Sequence, residues 1–176
     1  MASKLRVDSI LPVDGAPTSG GGGIIQVKSV IKTDTFSSNS TSYTDVTGLS
    51  VSITPKFNTS KILVMMHVQM GHDSNVAGFL RLVRDSTAIA VATGASSRNA
   101  ATVAMADDPT DDEINSLSMT FLDSPSTTSA TTYKVQMITE GSGNTGYVHV
   151  NRSGEDANNN QQGRTVSTIT VMEVSA

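Results

Sequence analysis

Short segments in which apolar and polar residues alternate are the feature that most constrains the fold of this chain. Residues 49–53 read LSVSI, and residues 133–137 read YKVQM. A period of two residues is typical of a half-buried β-strand, and no window carries a sustained apolar stripe at i, i+3, i+4 and i+7. About nine such segments, roughly ten to fifteen residues apart, predict an all-β protein with a jelly-roll-like antiparallel β-sandwich.

The composition supports strands over helices. Ser and Thr number 24 and 22 of 176 residues, whereas charged residues make up 16%, below the usual fraction of about 25%. Thr is common in strands and Ser in turns. The segment 95–105 (ASSRNAATVAM) is the best helix candidate, but we favour a loop that leads into a strand.

The charge pattern argues against several classes of partner. The net charge is −4, and Lys and Arg form no cluster, which argues against binding of nucleic acid through phosphates. No apolar stretch reaches about 18 residues, so no membrane insertion is predicted. Cys is absent, which suits assembly in a reducing cytoplasm.

The N-terminal residues form a segment of their own. Five large apolar residues precede a flexible Gly-rich run, Gly20–Gly23; they are Leu5, Val7, Ile10, Leu11 and Val13. We predict that residues 1–23 form a docking peptide with a linker, and that residues 24–176 form the β-sandwich. The alternative is a terminal strand that folds back on its own domain.

Two segments are apolar on both of their faces, namely residues 62–70 and 166–174. A soluble monomer rarely exposes such surfaces, and contact with identical neighbours would bury them. The predicted interface residues are Leu63, Met65, His67, Ile169 and Val171. The number of copies does not follow from this pattern.

One stretch of acidic residues is a weak candidate for a metal site. Its members Asp107, Asp108, Asp111 and Asp112 offer the oxygen ligands that hard cations prefer. Their spacing matches no EF-hand loop, so we favour a solvated acidic loop and predict no cofactor.

No catalytic site is predicted from the remaining motifs. Residues 141–146 match G-x-G-x-x-G, but strand-like residues follow them, which favours a hairpin loop over a dinucleotide site. His67, His72 and His149 lack the spacing of a zinc site. Ser is too abundant for a Ser–His–Asp set to be chosen from sequence, and we expect no enzymatic activity.

Several stretches together resemble a family of virion structural proteins of tailed bacteriophages, common among marine and cyanobacterial phages and often labelled tail-fibre-like. The stretches are 41–55 (TSYTDVTGLSVSITP), 60–64 (SKILV), 79–84 (FLRLVR), 124–136 (SPSTTSATTYKVQ) and 163–174 (GRTVSTITVMEV), with the leader 4–10 (KLRVDSI). The resemblance implies a compact homotrimeric jelly roll, similar to tumour-necrosis-factor-like domains, on an N-terminal attachment peptide.

The function that follows is a short tail fibre or appendage at the particle surface. Its N-terminus would bind other virion proteins, and its head would attach to a host surface glycan or protein through loops such as 94–113 and 151–164. The chain has no long shaft, which keeps a capsid-bound decoration or head-fibre protein as the alternative. A glycan-degrading virion enzyme that uses the carboxylates of residues 107–112 is the second alternative.

Overall fold

The computed structural model describes residues 23–140 and 146–175 of the chain. The predicted docking residues from Leu5 to Val13 and most of the Gly-rich motif at 141–146 lie outside these ranges. The division of the chain at residue 23 therefore stays a prediction.

All regular structure in the described residues is antiparallel β-strand, which confirms the all-β prediction. The strands are β1 (Ile24–Lys32), β2 (Phe36–Ser38), β3 (Thr44–Ile53), β4 (Lys61–His72), β5 (Gly78–Arg84), β6 (Thr87–Ile89), β7 (Val103–Met105), β8 (Asn115–Asp123), β9 (Thr131–Thr139), β10 (Val148–Val150) and β11 (Ser167–Val174). The segment 95–105 is a loop that leads into β7, as expected. The described part of the chain has no helix of the length and hydropathy that crossing a membrane requires.

The first sheet, sheet A, is built around the long strand β4. Strand β8 pairs along one edge of β4, from Ile62 to Met70. On the other edge, β11 pairs with residues 61–67 and β10 pairs with residues 70–72. Strand β1 lies outside β11, and β2 lies outside β10. The second sheet, sheet B, has the order β3–β9–β5–β6, and β7 also pairs with β5.

The two sheets pack face to face in a jelly-roll-like sandwich, and the alternating residues identified in the sequence form its core. Leu49, Leu80, Tyr133 and Met137 are fully buried on the inner face of sheet B. The inner face of β4 contributes every second residue, namely Ile62, Val64, Met66, Val68 and Met70. Burial of these side chains is the main favourable contribution to folding.

The buried side chain of Asn151 stabilises the region where β10 ends and β11 begins to pair with β4. The side-chain amide of Asn151 donates hydrogen bonds to the carbonyl oxygens of Lys32 and Asp34, at 2.9 and 2.8 Å. Its Oδ1 accepts a hydrogen bond from the Ser167 hydroxyl at 2.6 Å. Gly71 allows the backbone at Arg152 to lie against β4, because a Cβ at residue 71 would be only 2.4 Å from the carbonyl oxygen of Arg152.

Candidate functional site

The outward-facing side chains of β1, β11, β4 and β8 form a regular surface, which we call the outer face of sheet A. The strand register aligns them in three rows of four residues. The rows are Val27–Met172–Leu63–Leu122, Ser29–Thr170–Met65–Thr120 and Ile31–Thr168–His67–Ser118. From strand spacings, they cover roughly 20 Å by 20 Å.

The three rows combine exposed apolar side chains with an absence of Asp, Glu, Lys and Arg. Val27, Ile31, Met65 and Leu122 are 40–60% exposed and account for half of the eight exposed large apolar residues in the described chain. None of the twelve residues is Asp, Glu, Lys or Arg. Apolar surface of this extent commonly marks an interaction site.

The outer face of sheet B has the opposite character. The ammonium group of Lys134 lies 2.7 Å from the Asp45 carboxylate. The guanidinium of Arg81 donates to Gln136 at 2.8 Å and lies 4.0 Å from the ring centroid of Tyr43. Because these charged groups have partners within the face and the Asp45 side chain is 53% exposed, this face is well suited to solvent.

A shallow depression of about 400 Å³ extends the outer face of sheet A at the end of β4. Its lining includes His67, Gln69, Val166 and Thr165. The Thr165 hydroxyl is buried and has no hydrogen-bond partner within the described residues. Buried polar atoms are nearly always satisfied, so this unpaired hydroxyl is an exception within the described residues.

The structure divides the five residues predicted for self-association. Leu63, Met65 and His67 lie together on the outer face of sheet A. The placement of Ile169 and Val171 on a second, open face was wrong, because both are fully buried in the core. The two-residue period of β11 was recognised correctly, but the inner and outer faces were assigned the wrong way round. The residues that face outward are Thr168, Thr170 and Met172.

Ser37, His149 and Asp73 form a hydrogen-bonded chain that sequence analysis could not select. The Ser37 hydroxyl lies 2.8 Å from His149 Nδ1, and His149 Nε2 lies 2.9 Å from an Asp73 carboxylate oxygen. In serine hydrolases the imidazole has the reverse orientation, with Nε2 toward the serine. These hydrogen bonds connect β2, β10 and the loop after β4, and we assign the three residues a structural role.

The protonation states of His149 and Asp73 follow from burial and hydrogen bonding. Burial lowers the pKa of His149, and the hydrogen bond with Asp73 only partly offsets that effect. Burial alone would raise the pKa of Asp73, but hydrogen bonds from His149 and from the Tyr147 N–H lower it below its usual value. The ring is therefore neutral near pH 7 and donates its Nε2 proton to an anionic carboxylate.

The four acidic residues singled out in the sequence lie in different surroundings. The described His, Asp and Glu side chains contain no group of three or more that could hold a metal ion. Asp107 and Asp108 line a cleft beside His72, whereas the backbone carbonyl of Asp111 accepts a hydrogen bond from Glu155 N–H. Asp112 is exposed.

The loop at 151–164 surrounds a polar cavity of about 370 Å³. Asp156 forms an ion pair with Arg164 at 2.5 Å across this cavity and lies 3.8 Å from Arg152. The Asn159 carboxamide oxygen accepts hydrogen bonds from the N–H groups of Gln161 and Gln162. These contacts give the loop a defined shape.

Comparison with known proteins gives structural similarity only. No protein-family model and no curated protein matches the chain. A mutant VP2 protein of infectious bursal disease virus, in derived T=1 particles, is similar with a TM-score of 0.45 and 16% identity, over 97% of this chain and 44% of that one. The structure of the Gx strain of this virus gives a TM-score of 0.41 and 14% identity, over 97% and 45%.

A VP2 subviral particle of the same virus has a TM-score of 0.41 and 16% identity, over 85% of this chain and 39% of that one. This chain thus spans less than half the length of the solved chains that it matches. Because all three TM-scores lie below 0.5, the likeness supports neither a shared function nor a shared family.

Proposed function

We propose that this chain is a non-enzymatic structural protein of a virus particle, and that it assembles with copies of itself through the outer face of sheet A. The observation that carries the self-association is the charge-free apolar surface formed by the three rows. The virion role comes from the resemblance of the strand motifs to phage structural proteins. The same resemblance implies three copies around one axis.

The chemistry of the outer face suits contact with an identical surface. Copies that each carry a net charge of −4 repel one another over most of their surface. The three rows contain no Asp, Glu, Lys or Arg, so two copies that meet over these rows bury no unpaired ion, and Lys61, the outward-facing residue of β4 next to Leu63, lies at their edge. Ser29 and Thr120 add hydroxyl groups, which both donate and accept hydrogen bonds and can therefore pair with their own counterparts.

Charge-insertion variants test the self-association. Met65→Glu places a carboxylate at the centre of the outer face of sheet A, where the side chain is 40% exposed in the single subunit. We expect size-exclusion chromatography to show single subunits with an unchanged circular dichroism spectrum. Ser52→Glu, on the outer face of sheet B, is the matched control and should leave the assembly intact. Unchanged assembly of the Met65 variant would contradict the proposed surface.

Attachment to the particle is the second part of the proposal. Residues 1–23 would insert their apolar side chains into another virion protein, and the loops 94–113 and 151–164 would face the host. A short tail appendage and a capsid-bound decoration protein share this arrangement. Gold-labelled antibodies against the chain, viewed by electron microscopy of purified particles, distinguish the two by the position of the label.

Deletion of residues 1–19 tests the docking peptide. Incorporation of the shortened protein into particles should be lost, while the purified protein keeps its oligomeric state. Normal incorporation would refute the docking role and leave the self-association untouched.

A further inference from the structure

Strand β8 forms one edge of sheet A, and the backbone on its outer side has no partner among the described residues. All nine residues from Asn115 to Asp123 pair in unbroken register with β4. Apart from this ladder, no described group forms a hydrogen bond with a backbone N–H or carbonyl group of β8. Along an edge strand, the backbone groups that point away from the neighbouring strand can pair with a further strand. The outer edge of β8 therefore offers a row of such groups.

The other edge strands have features that discourage strand addition. Strand β1 has a register shift near its start, and its Lys28 points inward opposite the core residue Val171. Strand β3 has a register shift between Asp45 and Ser50, and β2, β6 and β7 have three residues each. Bulges, inward-pointing Lys, Pro and short length all protect sheet edges. Strand β8 is long and regular, contains neither Lys nor Pro, and its single charge, on Asp123, is paired within the subunit.

Apolar side chains behind this edge are only partly covered. Leu117, Met119 and Phe121 point inward and pack against the core, yet each keeps part of its surface exposed. Strand β7 of sheet B contacts β8 on this side of the sandwich, and its Val103 is also only partly buried. A strand added to the edge of β8 would cover these side chains, and burial of apolar surface favours association.

The sequence of β8 is nearly symmetrical about Met119, so the strand is complementary to a copy of itself. In an antiparallel pair centred on Met119, the inward Leu117 of each copy lies opposite the inward Phe121 of the other, and all nine residues have a partner. Apolar cross-strand pairs of this kind stabilise a sheet. Any other register that keeps both cores on the same side leaves an apolar residue opposite a polar residue or without a partner.

We propose that β8 of one subunit pairs antiparallel with β8 of a second copy, about a two-fold axis at Met119. On the outer side, Ser118 would lie opposite Thr120 of the second copy, and both hydroxyl groups can donate and accept hydrogen bonds. Asn115 would lie opposite Asp123 of the second copy, so the two carboxylates do not face each other. The contact uses the same patch on both copies and is closed, and sheet A would continue from one copy into the next.

This contact goes beyond assembly through the outer face of sheet A. It uses the backbone edge of β8, and it leaves the outer faces of both copies exposed on the same side of the extended sheet. A pair of strands is only marginally stable by itself. We therefore expect the β8 pairing to link subunits of separate assemblies, and to be populated only above the micromolar concentrations at which the outer-face assembly forms.

Disulfide trapping tests the pairing, because the chain contains no Cys of its own. Met119→Cys places two thiols opposite each other across the axis, where Cα atoms lie about 4.5–5.5 Å apart, within the range that a disulfide bridges. Mild oxidation of the concentrated protein should give a covalent dimer on a non-reducing gel. Leu117→Cys is the matched control, since its two thiols would be four residues apart along the strands, about 13–14 Å, and should not link. Equal yields for the two variants, or no dimer of the Met119→Cys variant, would overturn the proposal.

Met119→Lys tests the pairing without a covalent bond. It gives β8 an inward-pointing Lys, as β1 has in Lys28, and the two ammonium groups would face each other across the axis. Sedimentation over rising concentrations of the unmodified protein should show species heavier than the outer-face assembly, and this variant should lose them while its circular dichroism spectrum is unchanged. Ala88→Lys, at an exposed position of the edge strand β6, is the control and should keep them. Equal behaviour of the two Lys variants would contradict the proposal.

The two contacts can be tested separately. Met119→Cys combined with Met65→Glu should still form the covalent dimer, because the pairing does not use the outer face of sheet A. A dimer that disappears in this combination would show that the trapping depends on the outer-face assembly, which would overturn the β8 pairing. A dimer that persists when the unmodified protein forms no outer-face assembly would overturn only the proposed function of that face.

Discussion

The hydroxyl of Tyr133 in sheet B donates a 2.7 Å hydrogen bond to the carboxylate of Asp123 in sheet A. Arg84, also in sheet B, contacts both oxygens of the same carboxylate at 2.8 Å. Asp123 is 6% exposed and Tyr133 is fully buried. Burial raises the pKa of Tyr133, and the hydrogen bond to Asp123 raises it further, so the hydroxyl remains a donor. The Asp123 carboxylate of sheet A is thus bound by two side chains of sheet B, and this links the two sheets.

Tyr133→Phe removes this hydroxyl and leaves the buried carboxylate with one donor fewer. We expect a loss of about 1–3 kcal/mol in the free energy of unfolding, measured by urea denaturation. Tyr43→Phe is the control, since the Tyr43 hydroxyl donates to the Ala100 carbonyl in a partly exposed setting. The Tyr43 variant should lose less of the free energy of unfolding. Equal losses in the two variants would mean that the Tyr133–Asp123 hydrogen bond stabilises the protein no more than an ordinary surface hydrogen bond.

Asn151 combines backbone geometry with three side-chain hydrogen bonds. Its φ of 66° lies in the left-handed region, where Asn is tolerated better than most residues. Asn151→Asp would replace two donated hydrogen bonds with repulsion between a buried carboxylate and two carbonyl oxygens. We expect this change to cost about 3 kcal/mol or more, whereas Asn39→Asp at an exposed position should cost little. A melting temperature close to that of the unmodified protein would contradict this role for Asn151.

Much of the fold could be predicted from the sequence because the inner residues follow a strict alternation. Leu49, Val51 and Ile53 all proved to be buried, as did every second residue of β4. Strand β2 was missed, because three residues (Phe36–Ser38) are too few to show a period. For β11, the alternation gave two faces of similar hydropathy, and only the pairing with β4 decides that Ile169 and Val171 point inward.

The candidate sites were harder to predict, since they depend on spatial neighbours. The outer face of sheet A arises from the register of four strands that are distant in sequence. The unpaired edge of β8 could not be recognised either, because alternation within one strand does not show which strands lie at the end of a sheet. Little in the sequence indicated the hydrogen bonds among Ser37, His149 and Asp73. The protein contains three His, so His149 could be noticed as a rare residue, but its partners could not be chosen.

The stability of the protein should fall as the pH is lowered from 7 toward 5. The pKa of His149 is lowered in the folded state, and an unfolded histidine has a pKa of about 6.5. Below pH 6.5 the unfolded chain therefore binds the proton more readily, and stability is lost until the pH reaches the lower pKa of the folded state. Asp73, whose pKa is also lowered, adds a further loss below about pH 4.

Urea midpoints at pH 7.5, 6.0 and 5.0 measure this dependence. His149→Gln removes the titrating group, so its stability should change less over this range than that of the unmodified protein. Parallel curves for the two proteins would contradict the assignment of the effect to His149.

The account rests most directly on the oligomeric state of the unmodified protein. Sedimentation velocity at micromolar concentration should give one species with three times the 18.4 kDa mass of the subunit, and dilution should dissociate it without unfolding. A folded species with the mass of one subunit at every concentration would contradict the central claim that the outer face of sheet A is buried against copies of the same chain.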